Sequence, residues 1–194
     1  MPPEPKVAPD YDDSYEPKKE KEPNTVKKPK AQGAPDLILA PTLSDALRAA
    51  SPKSKIFGLS FKDRSAVLPT GKKADGVYWL DSLDGMMVTS TYYRDALPAW
   101  LTKFNQSRLA ERWFDRPWEH LLTDLDYAKH SGPDDVEGEG KGNKQGVAFP
   151  HPMNAGLKKV GKNYYEALFN SPYGNDFLFE LVKTAIAEEQ LGKR

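Results

Sequence analysis

The sequence predicts an α/β fold on three observations: a short apolar run of the kind buried inside a sheet, two β-rich runs around an Asp-Gly pair, and several segments with one apolar helical face. The run is Lys55-Ile56-Phe57-Gly58-Leu59-Ser60-Phe61, too short for a helix and expected as a strand buried on both faces. The hairpin joins Gly76-Val77-Tyr78-Trp79-Leu80 to Met86-Met87-Val88-Thr89-Ser90-Thr91-Tyr92-Tyr93 through Asp84-Gly85. One central strand cannot form a sheet, so its neighbours are expected from elsewhere. The reading is an α/β layer carrying an inserted α+β subdomain with a β-hairpin and several helices.

The elements follow in order. Residues 1–33 hold seven of the 17 prolines, seven lysines and seven acids, with few aliphatics. Such a stretch cannot bury enough surface to offset its chain entropy, and 1–34 reads as a disordered tail or loose loop. Residues 35–194 form the expected domain, with all four Trp and all eight Phe. Thr42 is placed to cap a helix running through Leu43, Ala46, Leu47 and Ala50, with Asp45 at the third position and Ser51-Pro52 as the stop. Pro69-Thr70-Gly71-Lys72-Lys73 reads as a turn. Leu97, Trp100, Leu101 and Phe104 share a helical face. Trp113, Trp118 and Leu121 fall among short helices and turns, and residues 131–146 read as a surface loop. Tyr164, Tyr165 and Leu168 start another helix. Phe177, Leu178, Leu181, Val182, Ala185 and Ile186 mark the last one, with Gly192 as its stop.

Composition narrows the function classes. The 28 basic and 28 acidic residues cancel, so no global field draws in nucleic acid or an anionic membrane. The lysine runs at 18–21 and 27–30 alternate with acids and prolines, which favours a solvated tail over a nucleic-acid patch. The absence of cysteine excludes disulfides, thiolate zinc sites and cysteine nucleophiles. No apolar run is long enough to span a bilayer, and the N-terminus as written carries no signal-peptide core.

Lys62 and Arg64 follow the apolar strand. Two apart in an extended segment, they point the same way, and like charges held together are unfavourable unless an anion lies between them. Ligands of open α/β sheets bind beyond the carboxyl ends of the strands. A guanidinium fork and a compact ammonium together suit a phosphoryl group. The ordinary reading of an isolated Lys-x-Arg is a solvated strand end.

The wider pattern adds weight. Gly58-Leu59-Ser60-Phe61-Lys62-Asp63-Arg64-Ser65-Ala66-Val67-Leu68-Pro69 resembles a segment of the PafA-like alkaline phosphatases. They are a branch of the alkaline phosphatase superfamily grouped with type I phosphodiesterases and nucleotide pyrophosphatases. The resemblance continues through 74–79, 89–93, 97–100, 149–151, 164–168, 171–175 and 185–192, in the family's order. It implies a partial alkaline-phosphatase-like core and a zinc-dependent hydrolase of phosphate esters, acting through a phosphoryl-enzyme. Lys62 and Arg64 take the catalytic and substrate-binding role of the family's phosphate clamp. Ser65 and Lys72 depart from the family's usual Gly and His.

The same resemblance places the nucleophile and the ligands of two zinc ions outside this chain, so no metal ligand is assigned here. It also implies a phosphate-ester small molecule as substrate, dependence on the rest of the phosphatase domain, and a periplasmic or secreted location. The pair of cations tilts the expectation toward monoesters. The alternative is a non-catalytic phosphate-binding or interaction protein derived from that family. His120, His130 and His151 lack paired metal-ligand spacing, and His151 is expected in a structural or surface role. Asp134-Asp135 reads as loop solvation. The glycine-rich 138–142 lacks the strand and helix of a phosphate-binding loop. Core packing is the default for the four tryptophans.

Overall fold

The computed structural model describes residues 26–27, 33–154 and 156–193. Most of the expected tail therefore lies outside the described residues. Its Val26–Lys27 forms strand β1. Next come α1 (Leu43–Ala50), β2 (Phe57–Ser60), α2 (Asp63–Thr70), β3 (Gly76–Asp81), β4 (Met86–Ser90) and α3 (Ala99–Gln106). A 3-10 turn at Leu109–Glu111 leads to β5 (Pro117–Trp118), α4 (Ala128–Ser131), β6 (His151–Pro152), α5 (Lys162–Phe169) and α6 (Pro172–Glu188).

Strands β1-β4-β3-β2 make one sheet in that order. β2 runs parallel to β3, β3 antiparallel to β4, and β1 parallel to β4. The strand and the hairpin thus share a sheet, and the missing neighbour is the hairpin's own first strand. β2 is an edge strand in this sheet, not a central one. Only Gly58 of its four residues is buried, which corrects the expectation of burial on both faces.

All six residues of β3 are buried, and their alternation feeds two cores. Tyr78 and Leu80 pack with Met87 against α3, α5 and α6, through Trp100, Leu101, Tyr164, Leu168, Phe177 and Leu181. Val77, Trp79 and Val88 pack on the other face against Ala66 and Val67 of α2. The result is three layers with the sheet in the middle.

Several polar groups complete the sheet. Asn105 of α3 is buried, accepts the Met87 amide at 2.8 Å and donates to the Met87 carbonyl at 2.9 Å. It thereby covers β4 where β1 does not reach. Thr42 and Asp45 form the expected capping box of α1. Asp45 also accepts the amides of Lys72 and Lys73 at 3.0 and 3.2 Å. These bonds, led by that from the Thr42 amide, hold its pKa below the ordinary carboxylate value.

α1 is inverted relative to the usual amphipathic helix. Its buried residue is Asp45, whereas Leu43 is 87% exposed and Leu47 47%. The Ser44 hydroxyl reaches the Pro69 carbonyl, and Arg48 pairs with Asp75, so a polar face meets the body.

α2 is a helix where a turn was expected around Pro69-Thr70. Pro69 sits inside its last turn, and Gly71 closes it with φ 76°. The last helix ends at Glu188, before Gly192, with Gln190 in a left-handed conformation.

Two outcomes are expected. Asn105→Leu should lower unfolding stability by about 2 kcal/mol, because the Met87 amide and carbonyl lose their partner in a buried setting; chemical denaturation measures this. Burial raises the pKa of Tyr78 to about 12 and also raises those of Tyr93, Tyr164 and Tyr165. A folded-state pKa above the unfolded value near 10 gives stability that is full below pH 10 and lost as pH rises toward 12. Melting temperature should therefore hold at pH 8–9.5 and fall steeply above that.

Candidate active site

The candidate clamp lies where β2 ends and α2 begins. Lys62 is the N-cap residue of α2, with φ −111° and ψ 138°, and its amide is donated to the Ser60 hydroxyl at 3.4 Å. Arg64 lies in the first turn of the helix and is exposed. The extended alternation expected for the pair therefore stops at Lys62, and a strand-to-helix turn replaces it. Side chains one turn into a helix project by the helical screw, so the pair is set by the turn and not by strand pleating.

The chemistry favours an anion here. The first amides of a helix lack intrahelical partners and carry partial positive charge. One carboxylate, Asp63, shares this end and takes the Arg64 amide at 2.7 Å. Among the described residues, no ion pair includes Lys62 or Arg64. The Lys62 ammonium instead stands over the Phe169 ring, 4.7 Å from its centroid. Phe169 ends α5 and meets Phe61 edge-on at 5.2 Å. Sequence reasoning missed this aromatic seat, because Phe169 lies 105 positions beyond Arg64 and only the tertiary fold brings it to the strand end.

The turn is held by a close approach of β2 and α2. A Cβ on Gly58 would lie 2.3 Å from the Thr70 hydroxyl and 2.5 Å from the Ala66 carbonyl oxygen. Thr70 in turn donates to the Ala66 carbonyl at 2.5 Å. Only glycine lets the strand lie this near the helix. Ser65, beside Arg64, is exposed, and so is Lys72.

The other candidates separate. His151 is buried, with Nδ1 3.2 Å from the Gln145 carbonyl oxygen and its ring against Trp118 and Phe149, a structural placement. Asp134 accepts the Phe149 amide at 2.7 Å. Trp79, Trp100 and Trp113 are core residues, whereas Trp118 is half-buried and lines a cleft. Residues 138–142 form an exposed loop. Among the described residues, no group of three or more His, Asp or Glu lies close enough to hold a metal ion. None of the described helices is long and apolar enough to cross a membrane.

A sheet between two helical layers, with basic residues at the carboxyl end of a parallel strand, defines the class as an α/β protein with a candidate anion site at the strand end. Comparison with known proteins gives the family. The chain is 35% identical over 162 residues to alkaline phosphatase PhoV of Synechococcus elongatus, covering 82% of this chain and 28% of that protein. It is 32% identical over 163 residues to alkaline phosphatase PafA of Elizabethkingia meningoseptica, covering 83% and 29%. A Myroides odoratus protein named calcium-transporting ATPase matches at 34% over 162 residues, covering 83% and 29%. The crystal structure of wild-type PafA superposes with a TM-score of 0.68 at 33% identity, covering 78% of this chain and 29% of that one. A crystallised PafA variant altered at one threonine, one asparagine, one lysine and one arginine superposes equally well, at 32% identity. No family profile matches the chain. The chain belongs to the PafA and PhoV alkaline phosphatases and spans about 29% of the length of these relatives.

Gly58→Ala should cost about 1–3 kcal/mol by forcing β2 and α2 apart. The shift in denaturation midpoint measures it, and an unchanged midpoint would mean that the helix moves freely.

Proposed function

We propose that this chain supplies the phosphoryl clamp of a phosphatase that hydrolyses phosphate esters, with monoesters preferred. The observation that carries this reading is the placement of Lys62 and Arg64, without carboxylate partners among the described residues, at the junction of a parallel strand and a helix N-terminus. The substituted lysine and arginine of the PafA variant also lie two positions apart, which supports the same role for this pair.

In phosphoryl transfer, negative charge spreads over the three equatorial oxygens while the attacking and leaving oxygens stand in line. Fixed cations aimed at those oxygens lower the barrier without reorganisation at the moment of reaction. Arg64 offers two parallel N–H donors, and Lys62 adds a point charge steadied by Phe169. A monoester's terminal dianion gains more from two cations than a diester's monoanion does.

The family implies a pair of zinc ions. The residues described here do not fit such a group, so no step is assigned through it in this chain. The nucleophile and the metal would come from the remainder of a phosphatase domain. An apolar surface supports that dependence: Leu37 is 82% exposed, Leu39 99% and Leu43 87%, an apolar strip that water alone does not favour. Location in the periplasm or outside the cell accords with this family and is part of the proposal.

The test is a chimera in which residues 35–194 replace the matching stretch of PhoV. It should hydrolyse p-nitrophenyl phosphate faster than bis(p-nitrophenyl) phosphate. Lys62→Ala and Arg64→Ala should each lower kcat/KM by about a hundredfold with unchanged melting temperature. Rates within a factor of about three of the parent chimera would remove the clamp assignment, since one lost charge-stabilising donor is worth far more.

A further inference from the structure

We propose that the open cleft between β5, α4 and the start of α6 binds a small organic ammonium ion, through aromatic faces and surrounding carboxylates. The site is separate from the clamp and draws on none of its residues. The cleft has a volume of about 890 Å³.

One wall is a continuous aromatic surface. Tyr127 stacks on His120 at 4.2 Å between centroids and 12° between planes. His120 meets Phe149 at 4.1 Å, and Phe149 meets Trp118 at 5.4 Å nearly edge-on. Tyr173 closes the wall from α6, donating its hydroxyl to the Pro117 carbonyl at 2.8 Å and stacking on Trp113. The four rings Trp118, Tyr127, Phe149 and Tyr173 all border the cleft. Aromatic faces carry negative quadrupole density, and Trp and Tyr attract cations best.

The charge lining the cleft has one sign. Glu119, Asp126, Asp134 and Asp176 border it, and among the described residues no lysine or arginine does. Asp126 pairs at the rim with Lys129 at 3.4 Å, and Asp134 accepts the Phe149 amide. Three further carboxylates therefore remain against that one rim lysine. The acids are too dispersed to hold a metal ion. A compact, strongly hydrated cation would find neither enough oxygens nor a polar enough wall. A bulky cation with apolar methyl groups would satisfy both the rings and the diffuse negative field. Quaternary and methylated ammonium groups have that chemistry.

Titration calorimetry of the 194-residue chain with choline, and with its neutral carbon isostere 3,3-dimethylbutan-1-ol, tests this. Choline should bind saturably, and the isostere more weakly by roughly three- to thirtyfold, the range expected of a cation over aromatic faces. Asp176→Asn and Tyr127→Leu should each weaken choline binding several-fold. Near-ultraviolet dichroism checks that the fold persists, and the exposed Asp176 position keeps the test open if Tyr127→Leu unfolds. Equal affinity for choline and the isostere, no saturable heat with choline, or unchanged affinity in Asp176→Asn would each overturn the proposal.

Discussion

The fold depends on the double burial of β3. A strand of six residues with no solvent-facing side has its alternate residues committed to opposite cores: Tyr78 and Leu80 to the α3/α5/α6 layer, Val77 and Trp79 to the α2 layer. A slip of one residue would move every side chain to the wrong layer, so the register of both neighbouring strands is tightly specified. Antiparallel pairing with β4 follows from the short turn closed by Gly85. Parallel pairing with β2 requires a crossover, and α2 is that crossover, which fixes where the strand-to-helix turn falls.

The position of Lys62 and Arg64 is a consequence of this crossover. α2 must return across the sheet close enough to bury Ala66 and Val67, and Gly58 permits the approach. The helix then has to begin directly after β2, so the two cations occupy its cap and first turn. Phe169 meets Lys62 because α5 packs on the opposite layer and ends near the same sheet margin. Two layers that share only the sheet between them thus meet at Lys62.

The distribution of apolar surface divides the molecule. The α3/α5/α6 side is closed by a large aromatic core, in which the Tyr164 hydroxyl donates to the Ala110 carbonyl at 2.5 Å. The α1 side presents leucines outward and a capping carboxylate inward. The capping box, Asp45 and Arg48 can anchor α1 by its polar face because their hydrogen bonds are made to neighbouring turns of the same chain. Its apolar face stays exposed among the described residues.

Local chemistry made much of this legible from the amino acids alone. The Thr42 cap, the Asp84-Gly85 turn, the faces of α3 and α6 and the loop at 131–146 depend on contacts between residues a few positions apart, which periodicity and turn propensity encode. The Lys62-x-Arg64 signature also stood out, because it follows an apolar run and sits in a pattern shared with a family. Tertiary structure alone decided that β2 is an edge strand paired with the hairpin, that α2 follows the strand at once, that α1 turns its leucines outward, and that Phe169 supports Lys62. Each of these depends on partners tens of residues away, and the free energy of such contacts comes from burial between layers. No local pattern records that burial, because a leucine reads the same in sequence whether its partner lies in this chain or outside it.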